Sequence, residues 1–219
     1  MTTYDDILAT EPSEIEPRSM ATIDAEAPDP LPVTGREWEV LRRMIHTTAD
    51  FELAELVRFH PKAITAGVQA LGSGCRVFTD TEMARKGIPL RRMGPLGCSV
   101  LCRINDSATL ELAEKHNYTR AGAAMLAAGQ ELNNAVVVIG NAPTALAMVL
   151  KRMHEEDIRP ALVVGMPVGF IKAAESKELL SAQQLVPFIT IQGRKGGSAL
   201  AACVVNALAN MALADKEVD

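Results

Sequence analysis

Three short loops of small residues carry the most chemistry in this chain: GNAPTA at 140–145, GMPVGF at 165–170 and GRKGGS at 193–198. Each follows an apolar run. Gly140, Gly165, Gly169, Gly193, Gly196 and Gly197 expose backbone N–H groups, and Gly140 with Asn141 readily takes the backbone angles of a tight turn. Helix N-termini behind such turns favour anions. Arg194 and Lys195 add two cations to the third loop. Arg120 stands at an expected helix start, where its charge opposes the dipole unless it reaches out to an anion. Singly, each loop reads as an ordinary turn: GNAPTA lacks the glycine spacing of a dinucleotide fold, and GRKGGS lacks that of a nucleotide phosphate loop. Together they describe a wide site for a ligand bearing several carboxylates or phosphates.

A proton donor for that site is available in His46, within RRMIHTTAD. Histidine titrates near neutral pH. At a helix C-terminus it ordinarily serves as a favourable cation near the dipole, but Thr47, Thr48 and Asp50 are polar enough to set its tautomer. No serine elbow or catalytic cysteine signature lies nearby. No acidic or histidine cluster suggests a metal. Of the four cysteines, Cys75, Cys98, Cys102 and Cys203, only Cys98 and Cys102 are close in sequence. No histidine at finger-like spacing joins that pair to make a zinc site. The chemistry expected is that of a proton donor in a shaped cavity, with no bound cofactor and no metal.

Positioning such a site requires strands that end on one edge. The run AVVVI at 135–139 reads as a strand buried on both faces. Pro143 suits the first turn of the helix that follows, with Asn141 or Ala142 at its cap. Further strands are expected at Cys75–Thr79, Gly97–Arg103, Pro160–Val164 and Pro187–Gln192. Helices are expected between them, capped at Asp80 or Thr81, at Ser107 and at Thr119, and a last one over Ser198–Leu213. Thr34 and Glu37 have the spacing of a capping box for the helix that ends near His46. The stretch FELAELVRF reads as helix up to Pro61. Alternating strands and helices imply crossovers. The fold class is α/β: a three-layer α/β/α arrangement with a mostly parallel, about five-stranded sheet.

Residues 1–33, acidic and punctuated by five prolines, read as an N-terminal arm. Ile15, Met20 and Ile23 let Glu14–Ala27 lie on the body as a short helix or lid. Residues 34–219 form a single domain. The composition is 48% hydrophobic but only 4% aromatic, which favours packed helices and strands over an all-β sandwich. A net charge of −5 disfavours a general nucleic-acid or acidic-membrane surface, so an anionic ligand must be drawn by local donors. No apolar run approaches the ~20 residues that span a bilayer. The acidic N-terminus is unlike a secretory signal. A cytoplasmic location without nucleic-acid or membrane partners is expected.

The segments RRMIHTTADFE, IGNAPTAL, GMPVGFIKAAESK and GRKGGSALAA, in this order, resemble the precorrin-8X and cobalt-precorrin-8 methylmutases over about Ser19 to Ala209. The resemblance implies an isomerase of cobalamin biosynthesis. It moves a methyl group from carbon 11 to carbon 12 of a corrinoid ring by a suprafacial 1,5 shift, giving hydrogenobyrinate or cobyrinate. No methyl donor is needed. His46 matches the family's catalytic histidine, which protonates or hydrogen-bonds a ring nitrogen; such protonation contributes ~10²–10⁴-fold. Arg120 and Ser19 match substrate-contacting residues, and Arg194 and Lys195 fall in the GRKGGS loop with Gly196. Gly140, Asn141 and Gly169 line the same cradle. The resemblance further implies a homodimer with the site near the interface, in keeping with a mean hydropathy of +0.10. It implies nothing for residues 1–18. Two competing readings are a non-catalytic corrinoid or tetrapyrrole carrier using the same pocket, and a nucleotide-binding Rossmann-like protein, which lacks its fingerprint here.

Overall fold

The computed structural model describes residues 2–218. The chain opens with α1 (Tyr4–Leu8), α2 (Pro12–Glu26), α3 (Gly35–Thr48), α4 (Leu53–Leu56), β1 (Val57–Phe59) and α5 (Ala63–Gly72). Then follow β2 (Arg76–Thr79), α6 (Glu82–Gly87), α7 (Leu90–Leu96), β3 (Ser99–Cys102), α8 (Ser107–His116) and α9 (Arg120–Ala128). The last part holds β4 (Val136–Ile139), α10 (Pro143–Glu155), β5 (Leu162–Gly165), α11 (Ala173–Ala182), β6 (Phe188–Ile191) and α12 (Ser198–Val218). The sheet has six strands in the order β1-β6-β5-β4-β2-β3. β2 to β6 are mutually parallel, and β1 pairs antiparallel with β6. The three-layer α/β expectation is met, with one strand more than expected.

That extra strand corrects the reading of FELAELVRF as helix. Only LAEL is helical; Val57–Phe59 turns extended and pairs with Ile189–Ile191. Val57 is β-branched and buried, and the edge of β6 offers it unpaired backbone groups, so tertiary pairing overrides a local helical pattern. Two caps also differ. Thr34 precedes α3 with extended backbone, but its hydroxyl makes no bond to the helix, so no capping box forms. Asp106 rather than Ser107 stands at the start of α8. Thr81 and Thr119 do cap, accepting from Ala84 and Gly122.

β4, β5 and β6 are buried on both faces, and the alternate residues of the inner strands divide between two cores. Val77, Val136, Val138, Leu162, Val164, Ile189 and Ile191 face the layer that contains α3, α5 and α12. Phe78, Val137, Ile139, Val163 and Phe188 face the layer of α9, α10 and α11. This is the period-2 division that continuous apolar strands of a covered parallel sheet require. The pairing of Arg76 with Ser99 sets Cys75 beside Cys98, so the adjacent thiols are not the pair closest in sequence. All four cysteines are free.

Helix α2 extends the helix expected at 14–27 and lies on α3. Ile23 is buried, Asp24 accepts from Trp38 Nε1 at 3.2 Å and Arg42 at 2.7 Å, and Glu16 pairs with Arg43 at 2.5 Å. Lower-numbered residues of α2 meet higher-numbered residues of α3, so the two run antiparallel. Ser198–Glu217 of α12 is long and apolar enough to cross a membrane by length and composition, which corrects the expectation that no such run exists. Much of it is buried in this chain, packed on α3, α5, α6, α7 and two strands. Its hydrophobicity is that of a central core helix. Leu208, fully buried on α12 above Gly67, should be sensitive: Leu208→Ala is expected to cost about 2–5 kcal/mol in urea unfolding through the cavity it leaves.

Candidate active site

The parallel strands run in the order β3-β2-β4-β5-β6, so the chain leaves β2 for one side of the sheet and later returns to the other. The carboxyl ends of β2 and β4 flank the point where the order reverses, the usual place for a ligand crevice in a doubly wound sheet. Here the crevice already holds an anion of its own. Asp80, fully buried after β2, accepts from the N–H of Gly140 at 2.9 Å, Asn141 at 2.8 Å and Ala142 at 2.7 Å. Burial pushes its carboxyl above the ordinary carboxylate value, against the three N–H bonds that pull it down. The turn expected to offer open donors is thus internally satisfied.

The same holds for much of the cradle. Gly169 N–H donates to the Arg194 carbonyl at 3.2 Å, and Gly197 N–H donates to that of Met166 at 2.9 Å. The glycines bring backbones together. A Cβ on Gly140 would run into the backbone of Ser198, and one on Gly196 into the carbonyls of Met166 and Pro167. Ser198 is further tied to Thr81 by a hydroxyl–hydroxyl contact of 2.9 Å. The GNAPTA, GMPVGF and GRKGGS loops are therefore a single packed rim.

His46 is exposed on the last turn of α3. Four residues on, Asp50 accepts from Lys195 Nζ at 2.5 Å, and Glu52 accepts from the same amine at 2.7 Å. These ion pairs bring the end of α3 to the GRKGGS loop. They hold the Asp50 carboxyl below, and the Lys195 amine above, their ordinary values. Lys195, expected to receive an anionic ligand, is engaged as a tether. Arg194 is exposed, with its guanidinium 5.5 Å from the Phe170 ring centre and no carboxylate within 4 Å among the described residues. Phe170 and Ile171 are themselves 82% and 79% exposed, giving the rim an apolar ledge beside a cation.

Arg120 opens α9, exposed and likewise without an ion-pair partner among the described residues. Its neighbour Thr119 meets Thr144 of GNAPTA at 2.6 Å between hydroxyls, which places Arg120 beside the β4 end of the rim. Below this junction is a cavity of about 310 Å³ lined by Tyr118, Thr119, Gly122, Thr144, Met148 and Lys151. Asn141 is exposed beside the pinned turn. Ser19 sits on α2 over α3, three residues beyond Glu16, which pairs with Arg43; its hydroxyl donates to the Ile15 carbonyl at 2.8 Å. Sequence reasoning missed Asp80 as more than a cap, and it missed Lys177. This lysine of α11 is buried and donates to the Lys195 carbonyl at 2.5 Å. No local signal marks either, because the partners lie 60–62 and 18 residues away. Among the described residues no group of three or more metal-ligating side chains occurs.

Two outcomes follow from these buried charges. Asp80→Asn turns an amide donor toward backbone donors and should cost about 2–4 kcal/mol in urea unfolding. Burial pushes the Lys177 amine down to about 8 from an ordinary value of 10.5. Between those values the unfolded chain binds more protons than the folded one, so stability should rise with pH across that window. Urea unfolding at about pH 7.5 and about pH 9.5 should show wild type gaining on Lys177→Met as the pH rises.

A family model described as precorrin-8X methylmutase matches residues 14–211. A curated cobalt-precorrin-8 methylmutase of Leptospira interrogans is 42% identical over 201 residues, covering 89% of this chain and 91% of the relative. A precorrin-8X methylmutase of Pseudomonas aeruginosa is 41% identical over 194 residues, covering 88% and 92%. The fold is similar to a crystal structure of precorrin-8X methyl mutase from Thermus thermophilus, with TM-score 0.85 and 39% identity over 94% of this chain and 98% of that one. The doubly wound sheet is thus the architecture of a known group of proteins, and this chain belongs to the precorrin-8X methylmutase family.

Proposed function

We propose that this protein is a methylmutase of cobalamin biosynthesis, isomerising precorrin-8X or cobalt-precorrin-8 by moving a methyl group from carbon 11 to carbon 12 of the ring. The observation that carries the reading is the tether of Lys195 to Asp50 and Glu52, which brings the helix end bearing His46 to the glycine rim. A flat macrocycle edged with carboxylates needs apolar surface for its methylated faces and cations for its periphery. The ledge of Phe170 and Ile171 offers the first. Arg194 and Arg120, exposed and not paired with carboxylates among the described residues, offer the second. Asp80 occupies the N–H groups of the GNAPTA turn, so at that end of the rim anion recognition falls to side chains.

In the proposed mechanism His46 gives a proton, or a hydrogen bond, to a ring nitrogen near the migrating methyl. The π-system becomes more electron-poor, and the methyl migrates with its bonding pair across one face of the ring. Where the proton is given, it returns to His46 as the ring settles into product, so nothing is gained or lost overall. Protonation of this kind contributes ~10²–10⁴-fold, and holding the ring in one reactive conformation supplies the rest. The cobalt of the alternative substrate is cargo of the reaction. The active species proposed is a homodimer, with the rim near the interface; the exposed apolar ledge supports this, because a second copy would complete an open site.

Absorbance tests the reading directly, since the rearrangement extends conjugation and changes colour. Purified protein mixed with metal-free or cobalt-loaded substrate should produce that change. His46→Ala should abolish it while corrinoid binding stays within about threefold, because a transition-state contact is lost and ground-state binding is kept. Binding without turnover by the wild type would instead favour a carrier. Arg194→Gln should raise KM about tenfold with kcat little changed, as expected for loss of uniform binding.

A further inference from the structure

Lys177 is a buried charge with no part in the mechanism above. It lies in the second turn of α11, 1% exposed, against a cavity of about 290 Å³ that Ala174, Ser181, Ile191 and Gln192 also line. Among the described residues no carboxylate stands within 4 Å of its amine. Burying an amine without a counter-ion is unfavourable, and a methionine would fill the same space without that penalty. What a methionine cannot do is donate to the Lys195 carbonyl, which Lys177 reaches at 2.5 Å.

That carbonyl sits at the critical place in the GRKGGS loop. The preceding carbonyl, of Arg194, accepts from Gly169 N–H at 3.2 Å, so two successive peptide oxygens are held from the side of β5 and α11. The following residue, Gly196, packs against the carbonyls of Met166 and Pro167 with no room for a Cβ. With its backbone clamped, Lys195 sends its side chain to Asp50 and Glu52, and Arg194 is left over Phe170. Two lysines in series thus connect α11, the loop and the end of α3.

We propose that Lys177 is a positioning residue of the substrate site: its bond to the Lys195 carbonyl sets the path of the Gly193–Gly197 loop, so that Lys195 tethers the His46 end of α3 and Arg194 faces the ligand. This rests on the methylmutase reading. The test uses the full chain with metal-free and cobalt-loaded substrates, in wild type, Lys177→Met, Lys177→Arg, Arg194→Gln and the Lys177→Met/Arg194→Gln double variant. Lys177→Met should raise KM about tenfold and lower kcat about tenfold as the His46 end of α3 loosens, and Lys177→Arg, which keeps a charged donor, should recover most of both losses. The effect of Lys177→Met on KM should shrink in the Arg194→Gln background, because that part of it acts through the Arg194 guanidinium. Amide exchange at Gly193–Gly197 should quicken about tenfold in Lys177→Met while Gly140–Ala142 is unchanged.

An unchanged KM, equal effects of Lys177→Met in both backgrounds, or unchanged loop exchange would each overturn the proposal. If Lys177→Met does not fold, Lys177→Gln, too short to reach the carbonyl, carries the same comparison. Lack of turnover by wild type would refute the methylmutase reading instead, and loop exchange would still decide whether Lys177 holds the loop.

Discussion

A buried carboxylate with three backbone donors around it is the constraint on which this rim depends. Asp80 leaves β2, receives Gly140, Asn141 and Ala142 from β4, and so closes the switch point from within. Once the turn is held, Gly140 can lie against Ser198 and α12 can start there, with Ser198 bonded to Thr81, which follows Asp80. Three segments far apart in sequence are thereby locked to one another at one spot. The three charge-assisted bonds offset the cost of taking Asp80 out of water. Removing either party would leave the other stranded.

This arrangement changes how a strand–turn–helix with small residues should be read. In a nucleotide-binding protein the N–H groups of such a turn await a phosphate. Here a side chain of the chain itself occupies them, and recognition of an outside anion shifts to flexible cations. Those cations have been sorted. Arg42 and Arg43 are neutralised by Asp24 and Glu16 of α2, and Lys195 by Asp50 and Glu52. Arg194 and Arg120, at the rim, stand outside the ion pairs of the described residues. On a chain of net charge −5 this leaves two exposed arginines at the rim for an anion to meet.

The parts legible in the sequence are those with a local or periodic cause. AVVVI and PALVV announce doubly buried strands because both faces are covered, and Pro143 and Thr119 mark helix starts by their own backbone chemistry. The loops that form the rim are visible by their glycines. Other features arise only from distant partners. The strand Val57–Phe59 is too short to show alternation and exists because β6 has an open edge. α7 hides behind Gly94 and Pro95, both poor helix formers. Asp80 looks like a helix cap until the turn 60 residues later folds over it. Lys195 looks like a free cation until a carboxylate 145 residues away reaches it. Residue type foretold where charges lie, and pairing decided which of them remain available.

An isomerisation places a particular demand on such a site. The substrate and product of the proposed reaction carry the same atoms, so no leaving group or co-reactant supplies a driving contact. Selectivity must come from the geometry in which one ring is held relative to one proton donor. A rim whose N–H groups were empty would have to reorganise around each ligand, and the cost of that reorganisation would be taken from catalysis. Here Asp80, Lys177 and the close glycine contacts fix the path of the backbone beforehand, so that the exposed arginine side chains and apolar ledge are left to adapt. The rigid part sets the position of the ring and the mobile part accommodates its periphery. In the proposed reaction such a division would serve a macrocycle with or without cobalt alike, because the metal at the ring centre changes neither its outline nor its carboxylates.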